Sequence, residues 1–122
     1  MNNVCLIGRL VRDVELRYTP NNTAVAHFTI AVDKKFKKEG EQTANFIPVV
    51  VWGKTAEFAS NYFSKGTRIG VTGELQTRTW KDKEDKSHFV VEVVAEAVYF
   101  ADGKSNPSSG KQTFSEDEEF EL

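Results

Sequence analysis

Large aromatic rings sit among cations or polar residues at three places in this chain. Lys34, Lys35, Phe36, Lys37 and Lys38 run consecutively; Phe46 and Trp52 share a stretch that reads as one strand; Arg78, Thr79, Trp80 and Lys81 close another. A hydrophobic core would not place large flat rings beside charge. A ring turned to solvent stacks on a nucleobase, an interaction of about 1–3 kcal/mol per base, while a neighbouring cation neutralises phosphate. Those two contacts together hold an unpaired polynucleotide. The contact set predicted on this basis is Lys35, Phe36, Lys37, Phe46, Trp52, Arg78, Trp80 and Lys81.

Parity refines that set. Phe46 and Trp52 fall on one face of an extended strand, and Ile47, Val49 and Val51 fall on the other. Trp80 shares parity with Arg78, Gln76 and Glu74, the polar side of its strand. A ring in such a place is either a surface platform or a lid over a loop or an interface.

Catalytic patterns are weak by comparison. Gly53-Lys54-Thr55 resembles the end of a phosphate-binding loop, but that motif requires glycine where Pro48 stands. His27 and His88 have no second histidine or cysteine at ligand spacing and read as strand-surface residues. Asp82, Glu84 and Asp85 alternate with lysines and read as a solvated turn. No catalytic residue, metal ligand or cofactor is expected.

The elements that must carry these side chains are mostly strands. Val4, Leu6 and Leu10 alternate with polar or small residues, as do Ala26, Phe28, Ile30 and Val32. Pro20-Asn21-Asn22 supplies turn chemistry between them. A third strand runs from Phe46 to Trp52, with Pro48 suggesting an edge or a bulge. A helix is predicted over about Lys54 to Phe63, with Ala56, Ala59 and Phe63 on one face and Ser64-Lys65-Gly66 as its stop signal. Two long strands follow, roughly Thr67–Trp80 and Ser87–Phe100, joined by a charged hairpin loop. Three strands, one short helix and two strands is the order of the OB-fold, a five-stranded Greek-key barrel in an all-β class; other small barrels share the strand count, and the position of the single helix favours the OB-fold.

The chain has 122 residues, of which 39% are hydrophobic, enough for one compact core. A single cysteine, Cys5, excludes an internal disulfide and is expected to be a small buried hydrophobe. No signal peptide is read at the N-terminus, and no run of about 18 apolar residues could span a membrane. The net charge of −2 conceals a division: residues 101–122 hold six acids and two lysines, while residues 1–100 hold 12 acids and 14 basic side chains. A mildly basic body with an acidic tail suggests an interaction tail. Residues 1–102 are therefore read as one domain and 103–122 as a disordered linker and acidic tail, because Ser105 to Gly110 has no apolar residue with which to offset the entropy of ordering.

The runs Asn3 to Leu10, Glu15 to Asn21 and Ala24 to Ala31 resemble the bacterial-type single-stranded DNA-binding protein family. So do Trp52 to Glu57, Lys65-Gly66, Gly73 to Arg78 and Trp80. The resemblance covers about residues 1–100. It implies an OB-fold that assembles as a homotetramer and coats single-stranded DNA without strong sequence preference or catalysis, protecting it in replication, recombination and repair. It also implies a bacterial cytoplasmic or nucleoid location, or a phage or mobile-element protein acting there. The family's base-stacking aromatics fall on Phe36, Phe46, Trp52 and Trp80, with phenylalanine at the first two where tryptophan is common.

The family's tail typically ends in aspartates, proline and a terminal phenylalanine; here it ends Glu118-Glu119-Phe120-Glu121-Leu122. The resemblance implies that replication and repair proteins dock on such a tail, which here offers Asp117, Glu118, Glu119, Phe120 and Leu122. Two other readings remain beside DNA coating: an OB-domain that uses the same face for a protein partner, and a small nuclease.

Overall fold

Period-two alternation produces six strands: β1 (Val4–Leu10), β2 (Glu15–Tyr18), β3 (Ala24–Asp33), β4 (Ala44–Trp52), β5 (Arg68–Lys81) and β6 (Ser87–Phe100). One helix, α1 (Gly53–Tyr62), lies between β4 and β5. The computed structural model describes residues 1–36, 39–40 and 43–101. Lys37 and the acidic tail from 102 onward, including Asp117, Glu118, Glu119, Phe120 and Leu122, lie outside the described residues.

The sequence predicts three strands before the helix, and the structure has four. The additional one, β2, is only four residues long. β1 and β2 both lie antiparallel on β3, with Leu10 opposite Ile30 and Glu15 opposite His27. Between those pairs the β1–β2 side spends residues 11–14 where β3 spends 28–29. β1 and β2 are thus two halves of one strand, broken by two extra residues in the manner of a bulge. The Val11 N–H donates to the Thr29 carbonyl within the break, at 2.9 Å. Taken as one strand, they restore the expected five.

The strands run in the order β1-β5-β6-β4-β3-β2, and the β1–β3 pairing closes the ring. β4 and β6 are parallel, with Val49 opposite Val93 and Val50 opposite Val94. The other pairings are antiparallel. This closed arrangement with a helix after the third long strand is the OB-fold.

One parity from each strand fills the interior. Ala26, Phe28 and Ile30 meet Val49, Val51, Ile69, Val71 and Val93 there, all at most 5% exposed. Fully burying each valine or isoleucine contributes roughly 1.5–3 kcal/mol. The helix adds Ala56 and Ala59 to the same cluster, and Phe63 joins them from its C-terminal cap, closing the end of the ring that the last residue of β4 reaches. Gly53 makes that abrupt strand-to-helix switch possible because its φ is +70°, a left-handed conformation that costs glycine little. Phe63 meets Phe100 edge-on at 5.1 Å, tying the end of β6 to the helix.

Cys5, expected inside, is exposed. The inward parity of β1 belongs to Val4, Leu6 and Gly8, so Cys5 turns outward with Ile7. Pro48 marks an edge, not a bulge. Its register with Thr29 on β3 is regular, and β6 pairs with β4 only at Val49 and Val50.

Beyond the barrel, β5 and β6 continue as a two-stranded ribbon. β1 pairs with β5 only as far as Gly73, whereas the β5–β6 ladder continues to Lys81 opposite Ser87. The Asn2 side chain clasps the root of this ribbon: Nδ2 donates to the Leu75 carbonyl at 3.0 Å, and the Leu75 N–H donates to Oδ1 at 2.9 Å.

Candidate nucleic-acid interface

The register determines which side chains share the outer face of the sheet. Paired residues point the same way, and Val49 and Val93 point inward. The outer face therefore carries Phe46, Pro48, Val50 and Trp52 from β4. From β3 it takes His27 and Thr29, and from β6 it takes Glu92, Val90 and His88. Gln76, Arg78 and Trp80 of β5 pair with those β6 residues and belong to the same face.

Three of the four predicted rings are about half exposed there: Phe46 at 52%, Trp52 at 49% and Trp80 at 45%. Phe36 lies off the sheet, in the connection between β3 and β4, and is almost wholly exposed. The base of that connection is pinned by the Lys34 N–H, which donates to the Thr43 carbonyl at 3.0 Å. Lys35 is exposed in the same segment.

Because β4 and β6 run parallel, Phe46 and the Trp80 ribbon lie toward the same end of the face. The exposed Phe36 connection enters β4 at that end too. Trp52 lies at the other end, roughly 20 Å along β4 at the usual rise per residue. The set is therefore a group of rings and cations at one end, with a single tryptophan across the sheet from it.

The cations are not equally free. Arg78 donates from Nε to Glu92 Oε2 at 3.1 Å, and its side chain is half exposed. Lys81 approaches Asp85 at 3.7 Å, but both are well exposed, and such a pair contributes little. Between the two ends lies a shallow depression of about 210 Å³, lined by Arg12, His27, Thr29, Pro48, Val50 and Glu92. Arg12 comes from the β1–β2 break, so the interruption of that strand also shapes the outer face.

Sequence reasoning missed three partners. His88 stacks on Trp80 with ring centroids 4.4 Å apart and planes at 18°. Asp82 sits 2.8 Å from His88 Nε2 and accepts the backbone N–H of Glu84 and of Lys86, each at 2.9 Å. It orders the hairpin turn rather than merely solvating it. Its carboxyl is held below the usual range, first by the His88 hydrogen bond and then by the Lys86 N–H. Glu92, the third, is the partner of Arg78. The signal for His88 was present, since a turn over 82–86 places residue 88 opposite residue 80.

A closed five-strand barrel with one helix at its end, and rings and cations on its outer sheet, defines an OB-type module with the equipment for a polynucleotide. The chain belongs to the single-strand binding protein family, whose model matches residues 1–101. It is 56% identical over 111 residues to single-stranded DNA-binding protein 3 of Clostridium acetobutylicum, covering 89% of this chain and 77% of that one. It is 51% identical over 115 residues to the single-stranded DNA-binding protein of Clostridium tetani, covering 93% and 79%. The single-stranded DNA-binding protein of Halalkalibacterium halodurans is 50% identical over 111 residues, covering 90% and 66%.

Proposed function

We propose that this protein coats and protects single-stranded DNA in replication, recombination and repair, without catalysis and with little sequence preference. The observation that carries the reading is the sharing of one outer face by Phe46, Trp52, Arg78 and Trp80, with Lys35, Phe36 and Lys81 at one end of it. Stacking accepts any base because every base has a π-face, and phosphate contacts carry no sequence information. Lys37 belongs to the same contact set by its place in the sequence beside Phe36.

Assembly as a homotetramer is part of the proposal. Ile7, Cys5 and Tyr99 are exposed on the outer side of β1 and β6, an apolar surface that a second copy would cover. Replication and repair proteins would engage the acidic tail through Asp117, Glu118, Glu119, Phe120 and Leu122. The proposed location is the bacterial cytoplasm. Among the described residues, no helix is long and apolar enough to cross a membrane.

Titration with poly(dT), read by tryptophan fluorescence and by sedimentation, tests both parts. The expected result is strong quenching at sub-micromolar concentration and a species of four chains, free and bound. An unquenched signal with no co-sedimentation would overturn DNA coating and favour the protein-partner use of this face.

A further inference from the structure

The break between β1 and β2 presents a cation to the middle of the outer face. Hydrogen bonds anchor the residues on either side of Arg12. The Val11 N–H donates to the Thr29 carbonyl at 2.9 Å, and Asp13 Oδ1 accepts the Lys65 N–H at 2.8 Å. Arg12 itself is exposed. Among the described residues its side chain makes no hydrogen bond or ion pair.

Arg12 lines the depression of about 210 Å³ together with Thr29, Pro48 and Val50. That depression lies on the route between the two groups of rings. On β4, Pro48 stands between Phe46 and Trp52, and Thr29 is its register partner on β3. A strand stacked at both ends must carry phosphates across this gap. Lys35 and Lys81 lie at one end of the face, and Arg78 is already bonded to Glu92.

Three carboxylates line the same depression, and each is engaged. Asp13 accepts the Lys65 N–H, Glu15 pairs with Arg17, and Glu92 pairs with Arg78. Arg12 is thus the charge in the depression that is left over for a ligand.

Resting on the DNA-coating reading above, we propose that Arg12 binds a phosphate of the strand where it crosses the depression between Phe46 and Trp52. The fork of a guanidinium matches two phosphate oxygens, and such bonds are charge-assisted at both partners. Because Val11 and Asp13 are anchored, little backbone freedom is lost on contact. The contact fixes the path of the strand without reading its bases.

The experiment is titration of the full chain with oligo(dT), read by tryptophan fluorescence, over sodium chloride concentrations from about 0.05 to 1 M. Arg12→Gln is expected to flatten the log–log slope by about 0.7, the share of one phosphate on a single strand. Such a slope makes the loss of affinity about fivefold near 0.1 M salt and close to nothing near 1 M. Arg12→Lys keeps the slope, because counterion release follows charge. Both variants should melt like the unmodified protein, since the side chain they replace bonds to nothing in the fold. An unaltered slope in Arg12→Gln, or a loss of equal size at every salt concentration, overturns the role of Arg12 and leaves DNA binding intact. Absence of binding by the unmodified protein overturns the DNA-coating reading, and this proposal with it.

Discussion

Arg78 donates to Glu92 across the β5–β6 ladder at 3.1 Å, and the two are unequally sheltered: the guanidinium side chain is 49% exposed and the carboxylate side chain 10%. The pair stands where the ribbon leaves the barrel, so it joins the stability of that root to the charge offered to DNA. Arg78→Ala strands a buried carboxylate, and its expected cost is roughly 1–3 kcal/mol of stability with weakened DNA binding. Glu92→Gln leaves Arg78 able to swing to solvent and should cost less stability. Urea denaturation of both variants, beside oligonucleotide titration, checks the ordering. Equal destabilisation by the two changes would contradict it.

The outer rings and the inner rings should separate cleanly. Trp52→Ala, Trp80→Ala and Phe46→Ala are each expected to lose ~1–3 kcal/mol of DNA binding with little change in melting temperature. Phe63, only 3% exposed in the core, behaves in the opposite sense. Phe63→Ala should lower stability by roughly 3–5 kcal/mol. Thermal melts paired with binding isotherms would reveal any outer ring that is really core.

Phosphate binding by the loop after β3 predicts a salt signature. Replacing Lys35 and Lys37 by alanine should flatten the log–log salt dependence by about 0.7 for each phosphate that is no longer neutralised. Affinities measured over a series of sodium chloride concentrations give the slope directly. A slope matching the unmodified protein removes the loop from the DNA-binding surface.

Gly73 sits at the register shift of β5 against β6. A Cβ there would fall 2.8 Å from the Ala95 Cα and closer still to the Val94 carbonyl oxygen. Backbone cannot yield as a side-chain tip does, so Gly73→Ala is expected to cost roughly 1–3 kcal/mol. At Gly70 the nearest atoms are 3.9 Å away, and alanine fits. Comparing the two melting temperatures isolates the close approach from the general effect of replacing a glycine.

Stability should depend on pH at both extremes, with opposite signs. Tyr18 donates to Glu57 Oε2 at 3.1 Å, and that bond, then burial and the carboxylate charge, raises its pKa above 10.0. Its contribution is complete below the ordinary tyrosine value and is lost as pH rises through the raised one. Tyr18→Phe should remove that alkaline limb from a plot of melting temperature against pH. Asp82 is shifted downward, so its contribution is present above the ordinary carboxylate value and fades as pH falls through the lowered one. Asp82→Asn should flatten the acid limb.

Much of this protein could be read from the order of its residues. Period-two alternation located the long strands, and the spacing of Ala56, Ala59 and Phe63 located the helix, because each pattern is set by local backbone geometry. Parity alone turned Phe46, Trp52 and Trp80 outward. Tertiary structure decided what local geometry does not contain. β2 is four residues long and exists as a strand because β3 supplies its hydrogen-bond partners. Cys5 lies outside because the register of β1 on β5, not its own apolar character, assigns its face. The stack of His88 on Trp80 and the pairing of Arg78 with Glu92 arise only when two strands distant in sequence lie side by side, since a side chain's partner depends on where the chain returns.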